Sequence, residues 1–397
     1  FPTSAEADAN DTSSAVRVAD DINASGSGGA LSQAYEFPTV AAMTANAIVF
    51  PAGKVLQLLD RGASFLFTIG GSPDGHSILN AGNGNTAVIV KQGKMYVEMF
   101  GVNQTNSIAV NTASYNAAFV FMAGAVIYQQ NKRYTYSGTY AGDVNLCGDQ
   151  RPTVNVGRSA LENGSILEGT TNFSGDNVYL CNIGVDHGID AFPSVAADAV
   201  KASASPYNSG RLCVLHGVVG LGRNDTDSFH AILVEGYEQA WVTECVGVRN
   251  QFCGAIKSRN VEVDGFRAIE GQNLLIIKSD TGVAAGSAAN VNVSNFTGDG
   301  SVNTTHGLRV LSDNAQLQRL NISNVNIANS DRCVTLESAT ALNEVNLSNI
   351  NGAEIRLFGI VTSGSIFNVN INGGNIVELG DYAAQFLSGS AVSISNF

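Results

Sequence analysis

Short runs of alternating apolar and polar residues recur from residue 178 onward and are the strongest pattern in the chain. In each six-residue run the first and third residues are mostly apolar and the second and fourth mostly polar, as a strand with one buried face requires. Successive runs start 20 to 35 residues apart, a spacing typical of one coil of a solenoid protein. The runs begin at Val178, Cys213, Trp241, Val261, Val291, Leu320, Val345 and Phe367.

This repeat predicts an all-β chain built mainly as a parallel β-helix, which we assign to residues 103–397. Residues 35–102 contain three strand-like runs separated by turn sequences, and they predict a small β-rich N-terminal domain. Residues 1–34 are rich in Ala, Ser, Asp and Gly and are interpreted as a linker or extended arm. Short helices are expected at TVAAMTA and at Tyr115–Ala123.

Composition and charge exclude several classes of function. The net charge of −13 argues against a nucleic-acid partner, because phosphate binding needs clustered Lys and Arg. No apolar run reaches the ~18 residues that a membrane-spanning helix needs, so no span is expected. The six cysteines show no CxxC spacing, so neither a zinc site nor a redox motif is predicted. Most are expected to be buried small residues, with one or two disulfides as the alternative.

Several segments before the repeat resemble a known group of proteins. The succession FPTVAAMTA, GNTAVIV, MYVEMFGV and GDVNLCGDQRPTVNV resembles the entry region of phage tailspikes and related pectate-lyase-like proteins. The resemblance implies a right-handed parallel β-helix, a homotrimer, and cleavage of acidic or bacterial surface polysaccharides by hydrolysis or β-elimination. Some members of the group are only adhesins or structural parts. The chain departs from the group after FGV, where FGVNQTNSIAVNTASYNAAFVF has no acidic residue.

The fourth positions of the six-residue runs are the first candidate site. Stacked strands lie about 4.8 Å apart, so equal positions on successive coils form a column on the outer surface. Two neighbouring carboxylates repel each other, which separates an acid from a base or nucleophile, as glycoside cleavage requires. The alternative is that both carboxylates form salt bridges with basic residues of adjacent coils. The predicted column is Cys181, His216, Glu244, Asp264, Ser294, Ser323, Ser348 and Asn370.

A second set of strands brings basic residues together. Aligned on their fifth residues, these strands make Lys257 and Lys278 neighbours, followed by Leu311 and Leu336. Two adjacent lysines repel each other unless an anion lies between them. With Arg259 they are candidates for holding the carboxylate of an acidic sugar. The alternative is pairing with Glu235, Glu262 or Asp280.

Loop and flanking residues complete the candidate set. Asp186 follows a strand, where binding groups commonly lie. Tyr237 is a candidate for stacking on a sugar ring, whereas Trp241 occupies an inward position that indicates core packing. The spacing of Asp225 and Asp227 suits a calcium ion but lacks the other ligands, so no metal site is predicted.

Two functions of different classes follow. The first is a polysaccharide depolymerase, a hydrolase or lyase acting without a cofactor on acidic glycans, secreted or carried on a virion tail. Its predicted catalytic residues are Glu244, Asp264 and His216, and its predicted substrate-binding residues are Lys257, Lys278, Arg259, Asp186 and Tyr237. The second is a non-enzymatic carbohydrate-binding adhesin or structural fibre subunit, which the missing acidic motif and the regular Asn and Ser positions near the C-terminus favour.

Overall fold

A computed structural model describes residues 17–18, 34–187, 197–204, 209–222, 229–279, 289–312, 317–377, 382–386 and 392–396. The chain divides into two compact units. Unit 1 contains residues 1–122 and 126–128, and unit 2 contains residues 123–125 and 129–397. The division therefore falls about 20 residues after the boundary expected from the sequence, because the second helix belongs to unit 1. Apart from Arg17–Val18 and Ala34, the predicted arm at 1–34 lies outside the described residues.

The described residues of unit 1 form a small sheet with two α-helices and one 3₁₀-helix, in agreement with the predicted β-rich N-terminal domain. The strands are β1 (Arg17–Val18), β2 (Tyr35–Phe37), β3 (Val55–Leu58), β4 (Ala63–Thr68), β5 (Ile78–Asn80) and β6 (Thr86–Ile89), in the order β1-β2-β3-β4-β6-β5. The helices are α1 (Val40–Thr44), the 3₁₀-helix (Val97–Phe100) and α2 (Ile108–Phe121). Helix α1 begins after Thr39, whose hydroxyl accepts a hydrogen bond from the backbone N–H of Ala42. Among the described residues, no helix combines the length and the apolar character that crossing a bilayer requires.

The described residues of unit 2 lie mostly in strands, the first of which begins in unit 1 and ends in unit 2. They are β7 (Ile127–Gln129), β8 (Arg133–Tyr140), β9 (Val144–Gly148), β10 (Thr153–Val154), β11 (Leu161–Glu162), β12 (Ser165–Phe173), β13 (Asn177–Cys181), β14 (Ile183–Asp186), β15 (Val200–Ser203), β16 (Gly210–His216), β17 (Val219–Leu221), β18 (His230–Glu235), β19 (Tyr237–Thr243), β20 (Val246–Val248), β21 (Phe252–Lys257), β22 (Asn260–Asp264), β23 (Arg267–Ile269), β24 (Asn273–Ser279), β25 (Ala289–Ser294), β26 (Thr297–Asp299), β27 (His306–Ser312), β28 (Leu317–Ile366), β29 (Val369–Ile376), β30 (Tyr382–Phe386) and β31 (Val392–Ser395). Strand β28 is a continuous run of strand backbone that passes through more than one coil.

Three parallel sheets run along unit 2, and successive coils contribute strands to each. Sheet A contains β9, β13, β16, β19, β22, β25, parts of β28 and β29, and β31. Sheet B contains the first part of β12, β14, β17, β20, β23, β26 and further parts of β28 and β29. Sheet C contains the second part of β12, β15, β18, β21, β24, β27, other parts of β28, and β30. The predicted fold class, an all-β right-handed parallel β-helix after a small β-rich domain, is confirmed.

Inward positions of sheet A form a continuous apolar column inside the coil. Each member is at most 2% exposed, because the strands above and below cover it and the other two sheets close the interior. Successive members of this column are register partners. They are Val178, Cys213, Ala240, Val261, Val291 and Leu320. All six cysteines of the chain are free thiols, and Cys213 shows their usual role as a small apolar residue in the core.

The strand register corrects the predicted column at two places. Thr243, and not Glu244, pairs with His216 and with Asp264, so the run that appeared to begin at Trp241 begins one residue earlier. Trp241 consequently points outward and is 46% exposed, which overturns its predicted core position. Near the C-terminus the column continues from Ser348 to Asn372 rather than to Asn370.

The second strand set is corrected in the same way. Ile256 pairs with Ile277, so Lys257 and Lys278 do follow one another on adjacent coils. Lys278 then pairs with Leu311, but Leu311 pairs with Glu337 rather than with Leu336.

We expect substitutions in sheet A to lower the free energy of unfolding more when the shortened side chain is buried than when it points outward. We expect Leu215→Ala, which truncates a fully buried residue, to lower the free energy of unfolding by about 2–5 kcal/mol through lost burial and a residual cavity. The neighbouring Val214 points outward on the same strand, so Val214→Thr should cost less than about 1 kcal/mol. Chemical denaturation of both variants measures the difference. Equal losses would show that the inward and outward faces have been assigned wrongly.

Candidate functional site

A column of residues with positive φ forms the corner between sheets A and B. One such residue follows each strand of sheet A from β13 to β31. The corner column is Asn182, Gly217, Glu244, Gly265, Asn295, Asn324, Asn349, Gly373 and Asn396, with φ between 50° and 75°. Gly and Asn adopt this left-handed conformation most readily, since a larger side chain strains it. Glu244 is therefore the one member of the column whose residue type the turn does not explain.

Glu244 presents an exposed carboxylate at this corner. Its side chain is 62% exposed, and its Oε2 lies 3.7 Å from Nη1 of Arg151. The other guanidinium nitrogen of Arg151 donates a hydrogen bond to the backbone carbonyl of Glu244. Arg151 passes along the corner column, because a Cβ placed on Gly217 would lie 3.5 Å from its Cδ. The carboxylate thus faces solvent beside a fixed guanidinium.

Asp264 lies on the next coil, and the structure brings it together with Glu244. The backbone N–H of Glu244 donates to the carbonyl of Asp264 at 2.7 Å. Oδ1 of Asp264 accepts hydrogen bonds from Ser294 Oγ and Asn295 Nδ2, both at 2.7 Å. These two donors lower the pKa of Asp264 below its ordinary value, so this carboxyl is ionised at neutral pH. Its Oδ2 has no hydrogen-bond partner among the described residues.

His216 lies in the same outward column as Asp264 but two coils away. Its Nδ1 is 2.8 Å from Oγ1 of Thr243, the residue between them in the column. Two strand spacings correspond to about 10 Å, so His216 does not contact Asp264 directly. The structure places it as the neighbour that orients the Thr243 hydroxyl.

Trp241 gives the same outer face an aromatic surface. Its register partners are Val214 on the preceding coil and Glu262 on the following one, and Tyr179 precedes Val214. All four positions point outward from sheet A. An exposed indole two residues before Thr243 and three before Glu244 supplies a flat apolar surface beside the carboxylates.

The basic residues predicted to bind substrate lie elsewhere. Lys257 and Lys278 are on sheet C, whereas the two carboxylates are at the end of sheet A. Lys257 Nζ lies 3.6 Å from Glu235, the alternative partner that the sequence had left open. Arg259 lies 3.9 Å from Glu238. The structure therefore does not bring these three basic residues to the carboxylate pair.

Asp186 and Tyr237 are buried, which contradicts their predicted contact with substrate. Asp186 is 4% exposed, lies 2.9 Å from Arg133, and accepts a hydrogen bond from the backbone N–H of Leu161. Tyr237 is 2% exposed, and its hydroxyl donates to the carbonyl of Gly175 at 3.3 Å. Both side chains stabilise the coil from within. Asp225 and Asp227, whose spacing suits a calcium ion but predicted no metal site, lie outside the described residues, and the described part contains no cluster of His, Cys, Asp or Glu able to hold a metal ion.

A hairpin made of β10 and β11 covers the outer face of sheet B near this corner. Leu161 of the hairpin packs in a buried apolar cluster with Val219, Leu221, Val248 and Ile269 of sheet B, and Val154 packs against that cluster. Beside the hairpin lies a cleft of about 590 Å³. We call it the hairpin cleft; its lining is Arg151, Pro152, Thr153, Val154, Asn155, Val156, Arg158, Val219, Val246, Arg267 and Ile269.

Charged residues with strained backbones cluster around the hairpin cleft. Of the 15 non-glycine residues with positive φ in the described part of the chain, ten are Asn; of the other five, all but Glu354 belong to this region. These four are Arg158, Glu244, Arg249 and Glu270. Arg158 lies 2.9 Å from Glu270, which also lies 3.2 Å from Arg249. Backbone strain of this kind concentrates at functional sites, so it marks the same corner as the carboxylates do.

Sequence reasoning missed the arginines of this site. Arg151 and Arg158 lie within residues 103–397, which the sequence assigns to the β-helix, and no pattern there singles out either residue. No spacing in the sequence connects Arg158 with Asp299, 141 residues away, although they lie 2.8 Å apart. Glu244 was predicted as a catalytic residue but placed in the strand; the signal that could have placed it in the turn is its alignment with the Gly and Asn residues of the corner column.

Comparison with known proteins supports the fold. No protein-family model and no curated protein matches the chain. Tailspike protein 2 of Escherichia coli O157:H7 bacteriophage CAB120 is similar in structure, with a TM-score of 0.54 and 12% identity, over 90% of this chain and 51% of that one. Pantoea stewartii WceF, described as a glycan biofilm modifying enzyme with a tailspike-like parallel β-helix fold, is also similar, with a TM-score of 0.41 and 12% identity, over 87% of this chain and 48% of that one. The chain spans about half the length of these two proteins, and at this identity the likeness shows the fold alone.

The hydrogen bonds to Asp264 predict its titration. We expect the carboxyl carbon of Asp264, followed by NMR, to titrate below the ordinary aspartate midpoint of about 3.9, and Ser294→Ala to move that midpoint upward. Because the folded pKa is depressed, these hydrogen bonds contribute stability above the unfolded pKa, and the contribution is lost as pH falls through the folded pKa. Ser323→Ala, one coil further along the same column, is the matched control and should leave the midpoint unchanged. An unshifted wild-type midpoint would contradict the predicted hydrogen bonding.

Proposed function

We propose that the chain binds a polysaccharide across the corner between sheets A and B and cleaves it there. The observation that carries this proposal is a pair of carboxylates on adjacent coils, the exposed Glu244 and the partly exposed Asp264, beside the exposed Trp241. Glycoside cleavage commonly uses two carboxylates on either side of the scissile bond, and an aromatic ring favours the apolar face of a sugar. The predicted catalytic pair is retained, with the corrected register.

Their surroundings give the two carboxylates different roles. Asp264 is held ionised by Ser294 and Asn295 and keeps Oδ2 available, which suits a base or nucleophile. Glu244 is then the acid of the pair, which transfers a proton to the leaving group. His216 acts as a positioning residue through Thr243.

A second function, binding without cleavage, is favoured by the C-terminal part of sheet A. Asparagine side chains on successive coils donate to one another at 2.9, 3.0 and 3.1 Å, from Asn321 to Asn292, from Asn346 to Asn321 and from Asn370 to Asn346. These amides satisfy each other and carry no titratable group. Such a face suits a rigid fibre or an adhesin, the alternative that the sequence left open.

The proposal extends to assembly and location. A homotrimer displayed on a virion tail, or secreted, agrees with the likeness to tailspike protein 2, which is a phage protein. An acidic glycan as substrate is supported by the arginines at the hairpin cleft. Incubation of the purified protein with a panel of acidic and neutral polysaccharides tests the reaction. New reducing ends with the ultraviolet absorbance of an unsaturated uronate indicate a lyase, and reducing ends alone indicate a hydrolase.

Substitution of Glu244 separates a catalytic role from a structural one. We expect Glu244→Gln to lower kcat on a cleaved polysaccharide by at least about 100-fold, because a general acid or base contributes that much, with an unchanged melting temperature. Glu354→Gln is the matched control, since Glu354 is an exposed glutamate with a similar positive φ of 53° on a later coil. A large fall in the melting temperature of Glu244→Gln would instead identify a structural residue.

Trp241 is the only tryptophan of the chain, so its fluorescence reports directly on this face. We expect a bound polysaccharide to change the intensity and wavelength of its emission, both in the wild type and in Glu244→Gln, because the ring leaves water when a sugar stacks on it. A spectral change without new reducing ends across the panel would favour the adhesin. Cleavage without any spectral change would place the substrate away from Trp241.

A further inference from the structure

The lining of the hairpin cleft combines cationic and apolar groups without any carboxylate. Three arginines, Arg151, Arg158 and Arg267, contribute to it, while Val219 and Val246 form part of its apolar wall. The protein as a whole carries a net charge of −13. Three guanidinium groups around one cleft repel each other unless anions compensate them, so the partner of each arginine decides what the cleft can bind.

The positive charge of Arg158 is already balanced by two carboxylates of the coil. Its two guanidinium nitrogens lie 2.9 Å from Glu270 and 2.8 Å from Asp299. These ion pairs raise the pKa of Arg158 above its ordinary value, although burial acts in the opposite direction. Arg158 therefore fastens the hairpin to sheet B, and it does not provide a free charge for a ligand.

Arg267 is in the opposite situation. Its side chain is exposed, between the register partners Val246 and Thr297 on sheet B, and it has no ion pair or side-chain hydrogen bond with any residue in the described ranges. Many other arginines on the coil have close carboxylate partners, as with Arg309 and Glu337 at 2.7 Å and Arg356 and Asp331 at 2.7 Å. The absence of such a partner at Arg267 is therefore a local feature of the cleft.

Arg151 provides the second available charge. Its contact with the Glu244 carboxylate is long, at 3.7 Å, and both side chains are partly exposed, so an arriving anion can replace that contact. Its hydrogen bond to the Glu244 backbone carbonyl fixes the guanidinium at the rim of the cleft. Guanidinium groups bind carboxylates and other oxyanions through paired, charge-assisted hydrogen bonds.

We propose that the hairpin cleft binds the anionic group of an acidic sugar, a carboxylate as in a uronate, between Arg151 and Arg267. Val246, which is only partly buried, then contacts the apolar face of the sugar ring with the buried Val219 behind it, and the polymer continues over the corner column towards Glu244. The identity of the ligand rests on the proposed function. The subsite replaces the one predicted at Lys257, Lys278 and Arg259, which lie away from the carboxylate pair. A sulfate group is an oxyanion of the same charge-assisted hydrogen-bonding chemistry, and inorganic sulfate is therefore one of the probes in the test.

Methyl NMR of valine-labelled protein tests the proposal, since Val219 and Val246 report from the cleft itself. The probes are sodium D-glucuronate, D-glucose and inorganic sulfate. We expect glucuronate to shift both valine methyl signals at concentrations where glucose does not, and Arg267→Met to weaken glucuronate binding by about tenfold or more, the effect of losing a charge-assisted hydrogen bond. Arg319→Met is the matched control, because Arg319 is an exposed arginine on sheet A with Glu344 at 3.4 Å, and it should leave binding unchanged.

Three results overturn the subsite. The first is that glucuronate leaves both valine methyl signals unshifted. The second is that the Arg267→Met and Arg319→Met variants bind glucuronate equally tightly. The third is that sulfate binds as tightly as glucuronate, which would mean an anion site without sugar recognition. Failure of the proposed function is distinguishable from these. Glucuronate binding in the cleft with no cleavage of any polysaccharide keeps the subsite and removes the enzyme. Cleavage with unchanged kcat/KM in Arg267→Met keeps the enzyme and removes the subsite.

Discussion

In-register parallel pairing between successive coils is the interaction on which the rest of the structure depends. Because each strand hydrogen-bonds to the equivalent strand one coil away, a residue type repeated at one position becomes a continuous column. Inward columns form the apolar interior, and outward columns form ladders such as the chain of amides from Asn292 to Asn370. A residue that interrupts the repeated residue type of an outward column therefore marks a candidate functional position on the surface. Thr243, Glu244 and Asp264 form such a place, since only Ser, Gly and Asn follow them in the same columns on the next coils.

The corner between sheets A and B imposes a second constraint. The chain must turn there with a left-handed residue, for which Gly and Asn are the least strained choices. Glu244 occupies one of these positions and directs its carboxylate into solvent beside Arg151. The strained charged residues Arg158, Arg249 and Glu270 form one ion-pair network nearby. Backbone strain, exposed charge and a cleft thus coincide at this region of the coil.

The hairpin of β10 and β11 turns an outer sheet face into a cleft. Without a covering element, Val219, Leu221 and Val248 would expose apolar side chains on sheet B, and the hairpin covers them with Leu161 and a partly buried Val154. Arg158 joins the hairpin to two later coils through Glu270 and Asp299. The same covering element brings Arg151 to Glu244, so the electrostatics of the proposed site depend on a segment that lies about 90 residues earlier in the chain.

The sequence by itself determined the class of fold, because period-two alternation repeated at solenoid spacing leaves few other architectures. It also determined that Glu244 and Asp264 would lie on adjacent coils. It did not determine their register, because Ala240, Trp241 and Val242 are three consecutive apolar residues and alternation fits them in two frames that differ by one residue. Only the tertiary structure decided that Ala240 and Val242 face inward, which exposes Trp241 and moves Glu244 to the corner. It also decided the burial of Asp186 and Tyr237 and the arginine lining of the hairpin cleft, since these depend on contacts between residues many positions apart, which no local pattern records.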